Sequence, residues 1–334
     1  RAGNGVNWHA TLPPLIGAVF KAWEFLMNRP LTVGVIGLGS MGMGAARSLL
    51  AANIKTLGLD MSPDACAAFQ AAGGQIADSP ATMAGQVDIL IVFVVNAAQV
   101  ETVLFGDNGA AEALAAGAVV LQCATIPAAV SRDIAARLDD LQVMMIDGPV
   151  SGGAAKAAEG AMTVMASGPA AAFDRAAPAL TAIAEKVHRL GDQVGVGSTV
   201  KTINQLLAGV HIAAAAEAMA LGIRAGADAE QLFDVISGAA GASWMFNNRV
   251  PHILAGDYTP LSAVDIFIKD LGIVLETGKS LTFPLPLSAA AHQQFLAAGA
   301  AGLGREDDSA VIKVFQRLAG DDLPLPSERP ESSE

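Results

Sequence analysis

Cysteine is nearly missing from this chain. Cys66 and Cys123 are the only two in 334 residues, too sparse for a disulfide framework or a zinc site, and their scarcity points to a reducing cytoplasm. Histidine is thin as well. His9, His188, His211, His252 and His292 have no spacing that groups them as metal ligands or as part of a triad, so no metal is expected and the chemistry is not histidine-based. Aromatic residues make up only 5%, so the core must be built from small aliphatic contacts and close-packed alanine-rich helices. Positive charge is in deficit, with 20 Lys and Arg against 32 Asp and Glu. A net charge of −12 repels phosphodiester backbones and anionic bilayers, which argues against nucleic acid or membrane as partner. An anionic small molecule would need a local cation. Near the start, the apolar stretch Leu12 to Met27 is broken by Pro13, Pro14, Lys21 and Glu24, leaving it too short and too polar for a membrane span. No small-residue cleavage site follows it, so residues 1–30 read as an extension outside the fold.

What the chain does have is glycine in a telling place. Val33 to Ile36 is a short buried-type strand, and the apolar spacing of Ala45, Ala46, Leu49 and Leu50 then switches to a helical period. Gly37, Gly39 and Gly42 form G-x-G-x-x-G at the switch. The first glycine permits a tight turn, the second lets a pyrophosphate approach the backbone, the third lets helix pack on strand, and the helix N-terminus faces the phosphates. A second short strand, Leu57 to Leu59, ends in Asp60. That lies close to the roughly 20-residue spacing expected for an acid that accepts ribose hydroxyls. The turn, including Leu38, Ser40 and Met41, is therefore expected to bind a dinucleotide. Asp60 favours NAD, because the 2′-phosphate of NADP would meet its carboxylate with no arginine among Met61, Ser62 and Pro63 to compensate.

Strand-like and helix-like runs alternate after Asp60, as in a doubly wound parallel sheet. Asp88 to Val95, Ala118 to Leu121 and Val143 to Ile146 read as buried strands, and Met162 to Ala166 and Val187 to Leu190 as added edge strands. Pro63 to Ala72 and Ala128 to Leu138 read as helices between them. Beyond Gly197 the strand signals stop. Ser198 to Ala227 shows helical spacing for longer than most globular helices, and Ala229 to Ser237, Ala263 to Leu281 and Leu287 to Gly299 continue it. The expected fold is α/β: an N-terminal Rossmann-type domain over 31–192 followed by an all-helical domain over 193–320 for substrate and oligomerisation. Residues 321–334, rich in proline, serine and glutamate, read as a disordered tail. There is no internal repeat.

Several further stretches resemble the β-hydroxyacid dehydrogenase family, a group of nicotinamide-dependent enzymes. They are Ala124-Thr125-Ile126-Pro127, Asp147-Gly148-Pro149-Val150-Ser151-Gly152-Gly153, Gly195 to Gln205, and Lys269-Asp270-Leu271-Gly272. Val95-Asn96-Ala97-Ala98-Gln99-Val100, Met162 to Gly168, Ser243-Trp244-Met245-Phe246 and Glu306-Asp307-Asp308-Ser309-Ala310 resemble a sugar-acid branch of that family. Where many members carry serine before the threonine of the nicotinamide turn and paired asparagines after the lysine, this chain has Ala124 and Asn204-Gln205.

The resemblance implies that Lys201 is the general acid and base. It implies a carboxylate site at Ser151, Gly152 and Gly153, substrate contacts from Asn204 and Gln205, and cofactor contacts from Val95, Asn96, Thr125 and Lys269. The residues themselves support parts of this. Lys201, Asn204 and Gln205 stand at i, i+3 and i+4 on one helix face. A lysine near a helix start, partly buried, has its charged form disfavoured on both counts. The implied reaction is NAD-dependent oxidation of a short sugar acid, L-threonate at C2, with reduction of 2-hydroxy-3-oxopropionate as the other enzymatic reading. A dinucleotide-sensing scaffold is the non-enzymatic one, and Lys201 together with the Ser151 loop argues against it. A homodimer or homotetramer of closed symmetry is also implied.

Overall fold

A computed structural model describes residues 31–319. The expectations for residues 1–30 and for the 321–334 tail lie outside these residues. The chain opens as β1 (Thr32–Ile36), α1 (Ser40–Ala51), β2 (Lys55–Leu59), α2 (Pro63–Ala71), β3 (Gln75–Ile76), α3 (Pro80–Ala84) and β4 (Ile89–Val92). It continues through α4 (Ala97–Phe105), β5 (Val119–Gln122), α5 (Ala128–Asp140) and β6 (Met144–Asp147). These six strands form one parallel sheet in the order β3-β2-β1-β4-β5-β6. The order reverses between β1 and β4, which opens a crevice at their carboxyl ends, where ligands bind in such sheets.

Both faces of the sheet are covered, so its central strands are apolar without alternation; Ile89, Leu90, Ile91 and Val92 are all fully buried. Val33, Val35, Ile89 and Ile91 pack toward α1, while Ile36, Leu90 and Val92 pack toward the opposite face with Met83 and Leu104. Helix starts follow the sequence chemistry. The Ser62 hydroxyl accepts from Ala65 N at the start of α2, and Ser79 and Thr82 cap α3 reciprocally.

Contrary to the sequence expectation that Met162–Ala166 and Val187–Leu190 would add edge strands, they do not extend this sheet. After β7 (Val150–Ser151) and α6 (Gly153–Ala158), β8 (Met162–Ala166), α7 (Ala170–Ile183) and β9 (Ala184–Arg189) build a separate three-stranded sheet, β7-β8-β9. The reason lies at Gly148 and Pro149. The chain turns there, and β7 pairs antiparallel with β8 instead of continuing β6. The edges of the main sheet are instead β6 and the two-residue β3, the latter too short to carry a periodic signal.

From Val196 on the described residues are helical: α8 (Val196–Arg224), α9 (Ala229–Ser237), α10 (Trp244–Ala255), α11 (Val264–Ser280), α12 (Pro286–Ala298) and α13 (Ile312–Ala319). The 29-residue α8 is the axis of this part. Ala208, Ile212, Ala216 and Met219 are buried on it against Val250, Phe267, Leu271 and Phe295 of the surrounding helices. Small residues permit that approach. A Cβ at Gly209 would come within 2.9 Å of Leu271. Among the described residues α8 alone has the length and hydropathy to cross a membrane, but it packs against α9 to α13 and carries buried Lys201 and Gln205.

Candidate active site

The carboxyl ends of β1, β4, β5 and β6 face α8, α10 and α11 across a cleft of about 700 Å³. The glycine turn forms one end of it. Gly37 has φ +92, a conformation that L side chains rarely adopt, and a Cβ there would strike the Phe93 carbonyl at 2.8 Å. A Cβ at Gly42 would lie 1.8 Å from Gly37 O, so this position must be bare for α1 to begin where it does. At Gly39 nothing lies within 4 Å of the same point. That open space stands directly before the N-terminus of α1, with Gly39, Ser40, Met41 and Gly42 all on the cleft wall, an arrangement with room and free N–H groups for a phosphate.

Asp60 ties the turn to β2. Its carboxylate accepts from Leu38 N at 2.6 Å and from Ser62 N at 2.7 Å. Each oxygen keeps a further lone pair for a ribose hydroxyl. Leu38 contributes only its backbone here, since its side chain is buried. Asn96 stands outside the cleft lining, its side chain accepting from Gln99 N as the cap of α4. Val95 lines the cleft, held by Gln99 Oε1 on its backbone N–H at 2.8 Å.

Facing this end is the first half of α8. Its N-terminal turn is buried against the ends of β6 and β8, where no water reaches its free N–H groups, so side chains from the strands must satisfy them. Asp147, fully buried, accepts from Gly195 N at 3.0 Å, Ser198 N at 2.7 Å and Ser198 Oγ at 2.6 Å. Ser167 Oγ accepts from Gly197 N at 3.0 Å. Burial pushes the Asp147 carboxyl above its ordinary range, while the donors from Ser198 and Gly195 pull it back. A Cβ on Gly197 would collide with the Asp147 and Met165 carbonyls at 2.4 Å, so only glycine allows the helix this close.

Lys201 follows on that helix with 8% of its surface exposed. Among the described residues its Nζ has no hydrogen-bond partner. Burial lowers its pKa to about 8, with Asp270 raising it and Lys269 lowering it further. Burial, one of the two effects the sequence suggested, is the largest cause. Beside it runs a connected set of polar groups. Asn204 Nδ2 donates to Gln205 Oε1 at 2.9 Å, and Gln205 Nε2 donates to Asp270 Oδ2 at 2.5 Å. Lys269 Nζ lies 2.6 Å from Asp270 Oδ1 and donates to Thr125 O at 3.1 Å. That last bond spans the cleft between α11 and the loop after β5.

Ser151, Gly152 and Gly153 line the same cleft at the start of α6, with Gly152 at φ +127 and Gly153 at φ +71. The structure therefore brings together Gly39, Ser40, Met41, Gly42, Val95, Thr125, Ser151, Gly152, Gly153, Lys201, Asn204, Gln205 and Lys269. Gly37, Leu38 and Asp60 support the turn from behind. The sequence reading assigned no site role to Asp270, nor to Trp244, Met245, Asn248 and Arg249, which α10 adds to the wall. The signal for α10 was a serine cap, since Ser243 Oγ accepts from Phe246 N, followed by an apolar stripe ending at Gly256.

An open glycine cradle at a sheet's switch point and a depressed lysine across from it define a nicotinamide-dinucleotide-dependent dehydrogenase. Comparison with known proteins narrows the class. Residues 32–191 match the NAD binding domain of 6-phosphogluconate dehydrogenase, and residues 195–315 match the NAD-binding region of NADP-dependent 3-hydroxyisobutyrate dehydrogenase. The chain belongs to the 3-hydroxyisobutyrate dehydrogenase family of β-hydroxyacid dehydrogenases. It is 58% identical to an L-threonate dehydrogenase of Cupriavidus necator over 283 residues, covering 85% of this chain and 95% of that protein. A second L-threonate dehydrogenase, from Escherichia coli, is 56% identical over 287 residues, covering 86% of this chain and 95% of that protein. A crystal structure described as 3-hydroxyisobutyrate dehydrogenase from Salmonella typhimurium is 56% identical with a TM-score of 0.81, covering 85% of this chain and 99% of its own.

Proposed function

We propose that this enzyme oxidises L-threonate at its C2 hydroxyl to 2-dehydro-L-erythronate with NAD, Lys201 acting as the general base. The observation that carries the reading is Lys201 itself, buried on the cleft wall with its pKa lowered to about 8. Identity of 58% and 56% to L-threonate dehydrogenases supports the substrate. The dinucleotide, seated on the Gly37–Gly42 turn with its ribose at Asp60, supplies the acceptor for the hydride that leaves C2. The chain's own residues do the rest. Ser151 and the backbone at Gly152 and Gly153 hold the substrate carboxylate, as exposed N–H groups in such turns hold anions. Asn204 and Gln205 orient the hydroxyl toward Lys201 Nζ, which takes its proton as C2 loses hydride. The same proton returns in reduction. Lys269, by reaching Thr125 O across the cleft, keeps the two walls together around the reacting atoms.

The helical part, 193–320 in our division of the chain, serves as the substrate and oligomerisation domain, and the assembly is a homodimer or homotetramer. Ile203, Leu207 and Leu221 of α8 are half or more exposed, an apolar face that a second subunit would cover. Cytoplasmic residence agrees with Cys66 and Cys123 both being free.

The test is Lys201→Ala assayed with L-threonate and NAD by nicotinamide absorbance, alongside dinucleotide binding measured by fluorescence. Turnover should fall on the order of a hundredfold or more while cofactor affinity stays within about threefold. Retention of more than a few percent of the wild-type rate would remove Lys201 from the role.

A further inference from the structure

Two sequence motifs have no part in the chemistry above: the segment Ser243 to Phe246 that opens α10, and Glu306 to Ala310. The fold brings them together behind the cleft wall opposite the glycine turn. Asp308, fully buried, takes a two-pronged contact from Arg249, with Nε at 2.5 Å from Oδ1 and Nη2 at 3.0 Å from Oδ2. Asp307, also fully buried, accepts from Leu261 N at 3.0 Å and pins the 260–263 loop that continues this wall. The third arm of Arg249, Nη1, donates to Asn248 Oδ1.

This relay fixes how Asn248 presents itself. A guanidinium has only donors, so it must face the amide oxygen, and the amide NH₂ is turned the other way. Asn248 lines the cleft, and among the described residues its Nδ2 has no partner. The wall therefore offers one oriented, uncharged donor. Its charge is already spent, because Arg249 is balanced by Asp308; of the other cleft cations, Lys269 is balanced by Asp270, Lys156 by Glu159 and Glu185, and Lys201 is committed to the reacting hydroxyl in the reading above. A second carboxylate on the substrate tail would find no free cation there, whereas a hydroxyl finds a fixed donor.

We infer that Asn248 is a specificity-determining residue of the substrate site, donating its amide to a hydroxyl that the acid carries beyond its reacting carbon. Resting on the hydroxyacid reading above, this makes the substrate class polyhydroxy acids. Arg249 and Asp308 are positioning residues, holding Asn248 in its one useful orientation. A site built around a hydroxyl rejects the analogue lacking it far more strongly than an apolar pocket rejects an extra methylene.

The experiment compares kcat/KM for L-threonate and for 2-hydroxybutyrate of the same C2 configuration, in the full chain. The wild type should favour L-threonate by about a hundredfold or more. Asn248→Asp keeps the size and the Arg249 contact but removes the donor, and Asn248→Leu removes both. Each should cut the preference by about tenfold or more. In Asn248→Leu the loss should fall on L-threonate alone. Asn248→Asp adds a charge that acts on both acids, so there the ratio is read, with an unchanged melting temperature. An unchanged ratio in both variants, or an equal loss on both acids in Asn248→Leu, overturns the inference. If the wild type ignores L-threonate, the proposed substrate is wrong and the same ratio is read on glycerate against lactate. A wild type that prefers the acid without the hydroxyl overturns the role of Asn248, and one idle on both pairs overturns both readings.

Discussion

Asp147 is the residue whose removal tests most directly how the fold places the lysine. Its carboxylate receives three donors from the start of α8, two of them backbone N–H groups, in a place that water does not reach. Asp147→Asn can keep Oδ1 over the two N–H groups and turn its NH₂ toward Ser198 Oγ, which rotates to accept. What is lost is the charge assistance on two bonds, about 1 kcal/mol each, partly offset because a buried charge is also removed. The net cost should be about 1–2 kcal/mol. Asp147→Ala leaves all three donors without a partner, at about 1–3 kcal/mol for each buried group, and should cost about 4 kcal/mol or more. A chain of this size loses roughly 1.5 °C in Tm per kcal/mol, so the shifts are about 2–3 °C and about 6 °C by calorimetry. Lys201 lies in the second turn of the same helix. A displacement of about 1 Å there costs on the order of a hundredfold in rate, so kcat of Asp147→Ala should fall by that order while dinucleotide affinity holds within about threefold. An Asp147→Ala protein that melts within 1 °C of wild type and turns over at the wild-type rate would refute the claim that this carboxylate anchors α8.

Four further outcomes are expected. With Lys201 as the proposed base, oxidation requires it neutral; its pKa is lowered to about 8, so kcat/KM for oxidation should climb about tenfold per pH unit below 8 and level above it, with reduction showing the opposite limb. Asp270 raises that pKa, so Asp270→Asn should move both limbs to lower pH; limbs that stay put would detach Asp270 from the lysine. Asp60→Asn combined with Met61→Arg should shift preference toward NADP, because Met61 is fully exposed next to Asp60, the proposed ribose acceptor; equal or better use of NADP by the unmodified enzyme would sink the assignment of Asp60. Light scattering should give a multiple of 33.8 kDa, and a monomer mass over a wide concentration range would count against the exposed α8 face as an interface.

The nucleotide-binding part was legible in the sequence because its constraints are local. A tight turn, an approach to a phosphate and a helix packed on a strand each demand glycine at a fixed spacing, and Gly37, Gly39 and Gly42 meet those demands within six residues. Burial on both faces writes itself as the unbroken run at Ile89 to Val92. Lys201, Asn204 and Gln205 were picked out by the family resemblance, and their spacing then put them on one helix face. Where two partners lie far apart in the chain, periodicity is silent. The separate β7-β8-β9 sheet depends on a turn at Gly148–Pro149 that reverses the chain, and nothing in the apolar pattern of Met162 to Ala166 distinguishes an edge strand of one sheet from the centre of another.

The wall behind Asn248 shows the same limit at the level of function. Asp308 and Arg249 are 59 residues apart, and each in isolation reads as a solvated surface charge. Burying them together costs more than leaving both in water unless each finds nearly every partner it needs. The fold meets that condition: both oxygens of Asp308 are engaged, and all three nitrogen positions of Arg249 have acceptors in Asp308 and Asn248. A hydrophobic pair of the same volume would stabilise α10 against the 306–311 segment as well or better, so stability alone does not account for the ions. What a hydrophobic pair could not do is hold the amide of Asn248 in one of its two orientations. The donor presented to the cleft, and the preference for a hydroxylated acid that follows from it, is the return on an otherwise costly buried pair.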